Sequence, residues 1–271
     1  MNKIPKIIHY CWFGNNEKPN DVIKYMETWK KNCPDYTIIE WNEKNFDITS
    51  NLYVKQAYEQ KKYAFVADYV RLYVLYKYGG IYMDTDVEVL KPLDRFLENP
   101  AFSCFENNNY ITTGIIGSVH SNPWIKDLLD EYKELKFIKD DGSLDLTTNV
   151  VRITALTINK YGLKLNDLYQ NLNDFVIIYP NEFFSPKDWD TGLINCTENT
   201  YVIHHFAGSW HNLTEKKKAE KYKNKLNKYI DKYGKEKGTL KMRRKDNIKY
   251  YIFHPLKAIN KIIIYFRGKK L

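Results

Sequence analysis

The chain has 271 residues, of which 44% are hydrophobic and 28% are charged, and its formal net charge is +9. This length and composition suffice for one domain, or one domain with an appendage, around a real core. The cysteines Cys11, Cys33, Cys104 and Cys196 are far apart and form no C-x-x-C pair. Their spacing excludes a zinc site of that type and a disulfide framework, and favours reduced thiols. We see no signal peptide and no spanning helix, since no uncharged apolar run reaches about 18 residues.

The charge is unevenly distributed along the chain. Residues 214–271 carry 20 Lys and Arg against 5 Asp and Glu, a net charge of +15, whereas residues 1–213 have a net charge of −6. We therefore divide the chain into a domain-sized body, residues 1–213, and a basic tail, residues 214–271. A tail of this charge indicates a polyanionic surface, either a membrane or a nucleic acid.

The first hundred residues alternate between strand and helix patterns. The residue types predict strands at 4–13 and 36–41, and helices at 21–32, capped by Asn20, and at 52–62. A first strand followed by a polar turn is typical of nucleotide-binding α/β sheets, whose ligands lie beyond the carboxyl ends of strands. There is no G-x-G-x-x-G and no P-loop, which argues against dinucleotide or ATP sites of those types.

The most informative stretch is 64–93, with the sequence AFVADYVRLYVLYKYGGIYMDTDVEVLKPL. It predicts a buried helix at 64–78, a stop at Gly79 and Gly80, and a short strand at 81–83. Asp84 and Asp86 follow that strand two residues apart, so their side chains should point the same way. Two neighbouring carboxylates repel each other unless a positive group lies between them, and a divalent cation with oxygen ligands fits that place.

The rest of the body continues the same alternation before the tail begins. We expect strands at 87–90, 101–106, 111–119, 175–179 and 201–205, and helices at 123–135 and 149–161. In the tail, 215–233 predicts a Lys-rich helix, and 247–267 predicts an amphipathic helix that Pro255 kinks or splits.

The order A-x-x-A-D-x-x-R-x-x-x-L followed by G-G-x-Y-x-D-x-D, which includes Asp68, Arg71, Asp84 and Asp86, resembles a known family. This is the family of glycosyltransferases with a DXD-containing sugar-binding region, family 32, which includes bacterial capsule transferases and yeast mannosyltransferases. A bare D-x-D is common by chance, but the composite pattern is specific. The resemblance runs from residue 4 to about 210 and implies a GT-A fold, an α/β sandwich around a mostly parallel sheet with a metal at the carboxyl edge.

The resemblance also implies a set of residues around the donor. His9 and Trp12 match the strand that borders the nucleotide, where Trp12 would stack on the base or simply pack, and a buried core histidine is the alternative for His9. Trp41 would lie near the base and ribose or pack at the strand end. Thr113 and Gly114 would lie close to the donor sugar.

Asp68 and Arg71 are three residues apart and so share a helix face. From the residues alone, a salt bridge between two buried charges is the simpler interpretation. The resemblance instead implies that both contact sugar hydroxyls and a phosphate, which places them with Asp84 and Asp86 among the catalytic residues.

The segment HHFAGSWH at 204–211 is the second informative block. The resemblance implies a third metal ligand at His205, after Asp84 and Asp86, and a Trp210 that covers the donor diphosphate. Toxin relatives carry an acidic residue at the ligand position, so a histidine is a departure from them. His204 is the alternative ligand, because adjacent strand residues point to opposite faces.

The implied reaction is metal-dependent transfer of a hexose from a nucleotide-diphosphate sugar to a saccharide hydroxyl, with retention of anomeric configuration. Mn²⁺ or Mg²⁺ would neutralise the leaving diphosphate. Asp86 would bind the ion directly, and Asp84 through water or by contacting ribose or sugar. We expect a UDP-sugar donor, with a GDP-sugar as the alternative, and a leaving phosphate that itself deprotonates the acceptor.

The tail leaves a rival function open, in which the chain binds nucleic acid or another polyanion and its enzyme core is degenerate. The apolar residues between Ile248 and Phe266 favour a membrane surface instead, because nucleic-acid-binding tails need no continuous apolar face. We therefore expect no nucleic acid, and a peripheral, cytoplasmic location on the bacterial plasma membrane where lipid-linked acceptors for surface polysaccharide are built. The apolar face could also pack on the body or on a second copy, so a dimer is left open.

Overall fold

The structure, a computed structural model, describes residues 3–106, 110–189, 191–207, 213–234, 237–238 and 240–242. Contacts divide the described chain into two units. One contains the described residues of Met1–Trp189 and Leu193–Trp210, and the other those of Asp190–Gly192 and His211–Leu271. The predicted domain boundary at 213/214 stays a prediction.

The first unit is built on a mixed sheet. Its strands, with those of a second small sheet, are β1 Ile7–Cys11, β2 Thr37–Trp41, β3 Gly80–Met83, β4 Val87–Val89, β5 Ala101–Glu106, β6 Tyr110–Ile111, β7 Ile115–Ser118, β8 Gln170–Leu172, β9 Val176–Tyr179 and β10 Val202–His204. The main sheet has the order β2-β1-β3-β7-β5-β9-β8, with β6 on β5, while β4 pairs with β10. Strand β1 is parallel to β2 and β3, and β7 runs antiparallel between β3 and β5. The carboxyl ends of β1, β3 and β5 therefore meet at one edge of the sheet.

Helices cover the sheet because its strands are buried on both faces. The helices of this unit are α1 Asn20–Asn32, α2 Leu52–Glu59, α3 Tyr63–Tyr78, α4 Pro123–Asp130 and α5 Asn149–Tyr161. Along β3, Tyr82 belongs to one core cluster and its neighbours Ile81 and Met83 belong to the other, as the alternation of strand side chains requires. This confirms the predicted α/β fold class, in which a mixed sheet lies between helices.

Local details differ from the sequence expectation in three places. Helix α1 begins at Asn20 itself, with Pro19 in the cap position and no side-chain cap. The predicted strand 111–119 is interrupted at 112–114, which separates β6 from β7. The polar edge strand β8 was not predicted, because three residues that pair on one side only carry little apolar signal.

The second unit contains α6, Leu213–Tyr233, the Lys-rich helix that the sequence predicted. Lys217, Lys221 and Lys228 on this helix are exposed, whereas Leu226 is buried. The predicted amphipathic segment 247–267 lies outside the described residues. Among the described helices, none combines the length and apolar character needed to cross a membrane.

His9 lies in the core of the first unit. Its side chain is completely buried, its Nε2 is 2.8 Å from the carbonyl oxygen of Gly79, and its Nδ1 accepts a hydrogen bond of 3.1 Å from Trp41 Nε1. Trp41 is buried too and stacks on Tyr78 at 5.5 Å between ring centroids. This corrects the assignment of His9 to the nucleotide site, since an enclosed ring cannot contact a ligand, and it supports the packing interpretation of Trp41.

The buried imidazole of His9 should make folding sensitive to acid. Burial lowers the pKa of His9 to about 4, although the hydrogen bond to Gly79 opposes the shift. The stability that neutral His9 contributes is present above its ordinary pKa of about 6.5 and is lost as the pH falls towards about 4. Between pH 7 and 5 the loss should be about 2 kcal/mol. Urea unfolding across this range should show a flatter pH dependence in His9→Gln, and equal slopes in both proteins would contradict the assignment.

Candidate active site

The two carboxylates of the D-x-D stand between the two sheets. The backbone N–H of Asp84 donates to the carbonyl of Gly114 at 2.8 Å, which ties the end of β3 to the interrupted segment before β7. Val87 then starts β4, whose antiparallel partner places His204 opposite Val87. The register between β4 and β10 thus brings His204 beside the D-x-D turn.

Asp84, Asp86 and His204 form a cluster whose potential ligand atoms all lie within 4.8 Å of one another. His204 Nε2 is 3.3 Å from Asp86 Oδ1 and 4.0 Å from Asp84 Oδ2. Within the described part of the chain, no other group of three or more acidic, cysteine or histidine side chains has this geometry. Two carboxylate oxygens and one imidazole nitrogen suit Mn²⁺, and the oxygens also suit Mg²⁺, so these residues fit the divalent cation that the sequence predicts.

The third member of the cluster is His204, which corrects the preference for His205. His205 Nε2 is 2.8 Å from Glu88 Oε2, and its ring stacks on Tyr25 with centroids 4.5 Å apart. The two neighbouring histidines face opposite ways, as expected at a strand end. Alternation along the strand predicted that one of them would face the carboxylates, but the register of β10 on β4 decides which one.

Asp86 is held on both of its carboxylate oxygens. Oδ1 faces His204, and Oδ2 accepts a hydrogen bond of 2.7 Å from the backbone N–H of Ala207. Burial would raise the pKa of Asp86, but the charge of His204 and these hydrogen bonds outweigh it and lower the pKa to about 2. Burial likewise disfavours the charged form of His204, yet Asp86 and Asp84 raise its pKa to about 9. Without a metal, the positive group between the carboxylates is therefore the imidazolium.

Asp84 forms an ion pair with a buried arginine, through the carboxylate oxygen that does not face His204. Arg71 Nη2 lies 3.3 Å from Asp84 Oδ1 and 3.0 Å from Asp68 Oδ1, and Arg71 is only 4% exposed. The Tyr82 hydroxyl donates to the same Asp84 Oδ1 at 3.1 Å, which leaves Oδ2 towards His204. Burial raises the pKa of Asp68 to about 6 against the opposing charge of Arg71. The ion-pair interpretation of Asp68 and Arg71 is thus confirmed, and it places Arg71 directly behind the candidate metal ligands.

The interrupted segment 112–114 forms one wall of the site. Arg71 Nη1 donates to the carbonyl of Thr113 at 2.5 Å, so Thr113 contributes its backbone. A Cβ atom on Gly114 would lie 2.6 Å from His204 Nδ1, so only a glycine lets this ring approach. Both residues lie next to the D-x-D, and their predicted place close to the donor sugar stays a prediction.

Two further residues, Trp12 and Trp210, were predicted to lie at the donor site. Trp12 follows β1 at the same sheet edge, is half-buried, and donates from Nε1 to the carbonyl of Asn16 at 2.7 Å. The ammonium of Lys18 lies 5.4 Å from the centre of its ring. Trp210 lies outside the described residues. Sequence reasoning missed Tyr82, although its position two residues before Asp84 on the same strand face could have identified it.

Comparison with known proteins agrees with the sequence resemblance. Residues 19–103 match the family model described as "Glycosyltransferase sugar-binding region containing DXD motif". Inositol phosphoceramide mannosyltransferase 3 of Schizosaccharomyces pombe is 32% identical over 130 residues, which cover 45% of this chain and 35% of that protein. An uncharacterized glycosyltransferase, L373, of Acanthamoeba polyphaga mimivirus is 27% identical, and the aligned residues cover 76% of this chain and 84% of that protein.

Among solved structures, the PaToxG glycosyltransferase aligns with a TM-score of 0.45 and 21% identity, covering 59% of this chain and 70% of that chain. The match to the mannosyltransferase spans only about a third of that relative, 35% of its length. Residues 19–103 are thus similar to the sugar-binding region of DXD glycosyltransferases.

The cluster geometry predicts which histidine controls metal binding. His204→Ala removes a nitrogen that faces both carboxylates, so Mn²⁺ affinity measured by calorimetry should fall at least about 10-fold. His205→Ala is the matched control, because it removes a neighbouring histidine whose partner is Glu88. The reverse order of effects would return the ligand role to His205, and unchanged affinity in both would make both histidines structural.

Proposed function

We propose that this chain is a metal-dependent glycosyltransferase that moves a hexose from a nucleotide-diphosphate sugar to an acceptor hydroxyl. One observation carries the proposal: Asp84, Asp86 and His204 converge at the carboxyl edge of β3. The two carboxylates lie inside the segment 19–103 that matches a DXD sugar-binding region. That edge of an α/β sheet is where nucleotides bind in such folds.

In this mechanism Asp86 and His204 would hold the cation, and Asp84 would do so through Oδ2 or a water. The cation, when bound, supplies Lewis-acid stabilisation of the charge that develops on the leaving diphosphate. Arg71 and Tyr82 keep Asp84 oriented through its other oxygen. Because Arg71 is buried and paired with two carboxylates, its charge is fixed in place before the substrate arrives, which is the condition for electrostatic preorganisation.

The bond that breaks joins the anomeric carbon to a phosphate oxygen, and the bond that forms joins that carbon to the acceptor oxygen. We propose retention of configuration, with the acceptor proton passing to the departing phosphate oxygen. None of the clustered side chains is assigned as a nucleophile, since Asp84 and Asp86 are both engaged by other groups. Their engagement supports roles in binding and orientation.

The proposed donor is a UDP-hexose, with a GDP-sugar as the competing choice. One relative is named a mannosyltransferase, and another, from Homo sapiens, is named an alpha-1,4-N-acetylglucosaminyltransferase, so the relatives do not agree on the sugar. The deciding experiment is a panel of UDP- and GDP-linked sugars, scored for hydrolysis with Mn²⁺, with Mg²⁺ and with EDTA.

We further propose a peripheral location on the cytoplasmic face of a bacterial plasma membrane, with a lipid-linked saccharide of surface polysaccharide as acceptor. The exposed lysines Lys217, Lys221 and Lys228 share one face of α6, and the sequence from 243 to 271 adds further basic and apolar residues. Each basic residue near an anionic surface contributes about 1 kcal/mol. The rival, a polyanion-binding protein that recognises nucleic acid, becomes one outcome of the test below.

Asp86→Asn should nearly abolish sugar-nucleotide hydrolysis while the protein stays folded. Replacing a charged ligand by a neutral amide removes several kcal/mol of transition-state stabilisation, so kcat should fall about 10³-fold or more. Asp140→Asn is the control, because Asp140 is exposed and its partner within the described part of the chain is Lys136. A folded Asp86→Asn protein with wild-type turnover and Mn²⁺ affinity would refute the proposed site.

Deleting residues 243–271 should release the protein from anionic liposomes and leave hydrolysis of the soluble donor unchanged. The cut falls after Met242, which is fully buried, so that the described part of the second unit stays intact. Co-sedimentation with anionic and with neutral liposomes, alongside a gel shift with nucleic acid, provides the measurement. Retained liposome binding, or binding to nucleic acid instead, would contradict the membrane assignment.

A further inference from the structure

The imidazole of His204 has two nitrogens with different surroundings. Nε2 faces Asp86 and Asp84, as a metal-binding atom should. Nδ1, on the other edge of the ring, is buried and has no hydrogen-bond partner within the described structure. In metal sites the second nitrogen of a ligating histidine almost always donates to a carboxylate, a carbonyl or a water. The partner of Nδ1 is therefore missing.

Glu106 offers an acceptor at the same edge of the sheet. It is the last residue of β5, which runs in the same direction as β3 because β7 lies antiparallel between them. Its Oε2 is also buried without a partner among the described residues. Burial raises the pKa of Glu106, and the charge of His204 and a hydrogen bond with Thr112 oppose that rise. Thr112 Oγ1 also accepts a hydrogen bond of 3.3 Å from the backbone N–H of Gly114, the residue that the His204 ring approaches.

A buried donor and a buried acceptor are thus both unsatisfied at the same edge of the sheet. Each unsatisfied buried group costs about 1–3 kcal/mol. Both atoms are inaccessible to solvent, so neither bulk water nor a hydroxyl of an incoming substrate reaches them. The Nδ1 edge of the ring lies close to Gly114, where a Cβ atom would come within 2.6 Å of that nitrogen.

We propose that Glu106 is the positioning residue of the candidate metal centre. Its carboxylate accepts the Nδ1–H of His204, directly or through one enclosed water, and so fixes the tautomer in which Nε2 offers its lone pair to the cation. The two atoms are not hydrogen-bonded in this structure, so the proposal requires the Glu106 side chain or an enclosed water to join them. The inference rests on the metal site of the proposed function.

The test compares the Mn²⁺ affinity of wild type, Glu106→Ala and Glu106→Gln by calorimetry on the full chain. Glu106→Ala should bind Mn²⁺ about 10- to 100-fold more weakly, the usual effect of losing such an outer partner. Glu106→Gln keeps an acceptor oxygen of similar reach and should lose less. The matched control is Glu88→Gln, which disrupts the neighbouring pair with His205 at 2.8 Å and should leave Mn²⁺ affinity within about twofold.

A second readout follows the histidine itself. The ¹⁵N shifts of the His204 ring, assigned through His204→Gln and recorded with Mg²⁺, should show a protonated Nδ1 in wild type. In Glu106→Ala they should move towards a mixture of tautomers. A structural role for Glu106 alone would alter thermal stability without changing this mixture, and Glu106→Gln serves if the alanine variant does not fold.

Wild-type Mn²⁺ affinity and unchanged ring shifts in a folded Glu106 variant would overturn the proposal. An equal loss of affinity in Glu88→Gln would overturn it as well, because the effect would then not be specific to His204. Mn²⁺ binding without any sugar-nucleotide turnover in wild type would count against the proposed function and leave the role of Glu106 standing. No Mn²⁺ binding in wild type would refute both.

Discussion

The candidate site depends on one buried cation, the guanidinium of Arg71, placed between Asp68 and Asp84. A buried arginine is tolerated only when its charge is compensated, so two carboxylates must stay with it. Its Nη1 donates to the backbone carbonyl of Thr113, and its guanidinium carbon lies 4.8 Å from the centre of the Tyr82 ring. This single side chain therefore ties α3, the end of β3 and the segment before β7 into one rigid frame.

A second frame is provided by the small sheet of β4 and β10. Its register brings His204 to Asp86, and the backbone N–H groups of His205 and Ala207 bond back to Asp86. Asp84 thus directly follows β3 of the main sheet, and Asp86 directly precedes β4 of the small one. The distance between the two carboxylates is controlled by the turn that joins the sheets, and the glycine at 114 lets the histidine close the cluster.

The fold class and most of the helices follow from sequence patterns, since long periodic segments such as α3 and α5 bury one face or more whatever their neighbours are. The succession of a helix-ending glycine pair, a short strand and two carboxylates could also be read from the sequence. His9 was harder, because a histidine at a strand end can line a site or fill a core. Only the contacts with Gly79 and Trp41 distinguish the two.

By itself the sequence determined the local features: which segments are helical or extended, where α3 stops, and that Asp84 and Asp86 share a side of the chain. Only the tertiary structure decided what joins them. His204 rather than His205 meets the carboxylates because of the register of β10 on β4. Glu106 comes to the same edge because β7 lies antiparallel between β3 and β5 in the sheet, which makes those two strands run in the same direction. The positions of His204 and Glu106 both depend on strand pairings between residues far apart in the chain. Residue periodicity predicts which face of a strand a side chain lies on, but it does not predict the neighbouring strand.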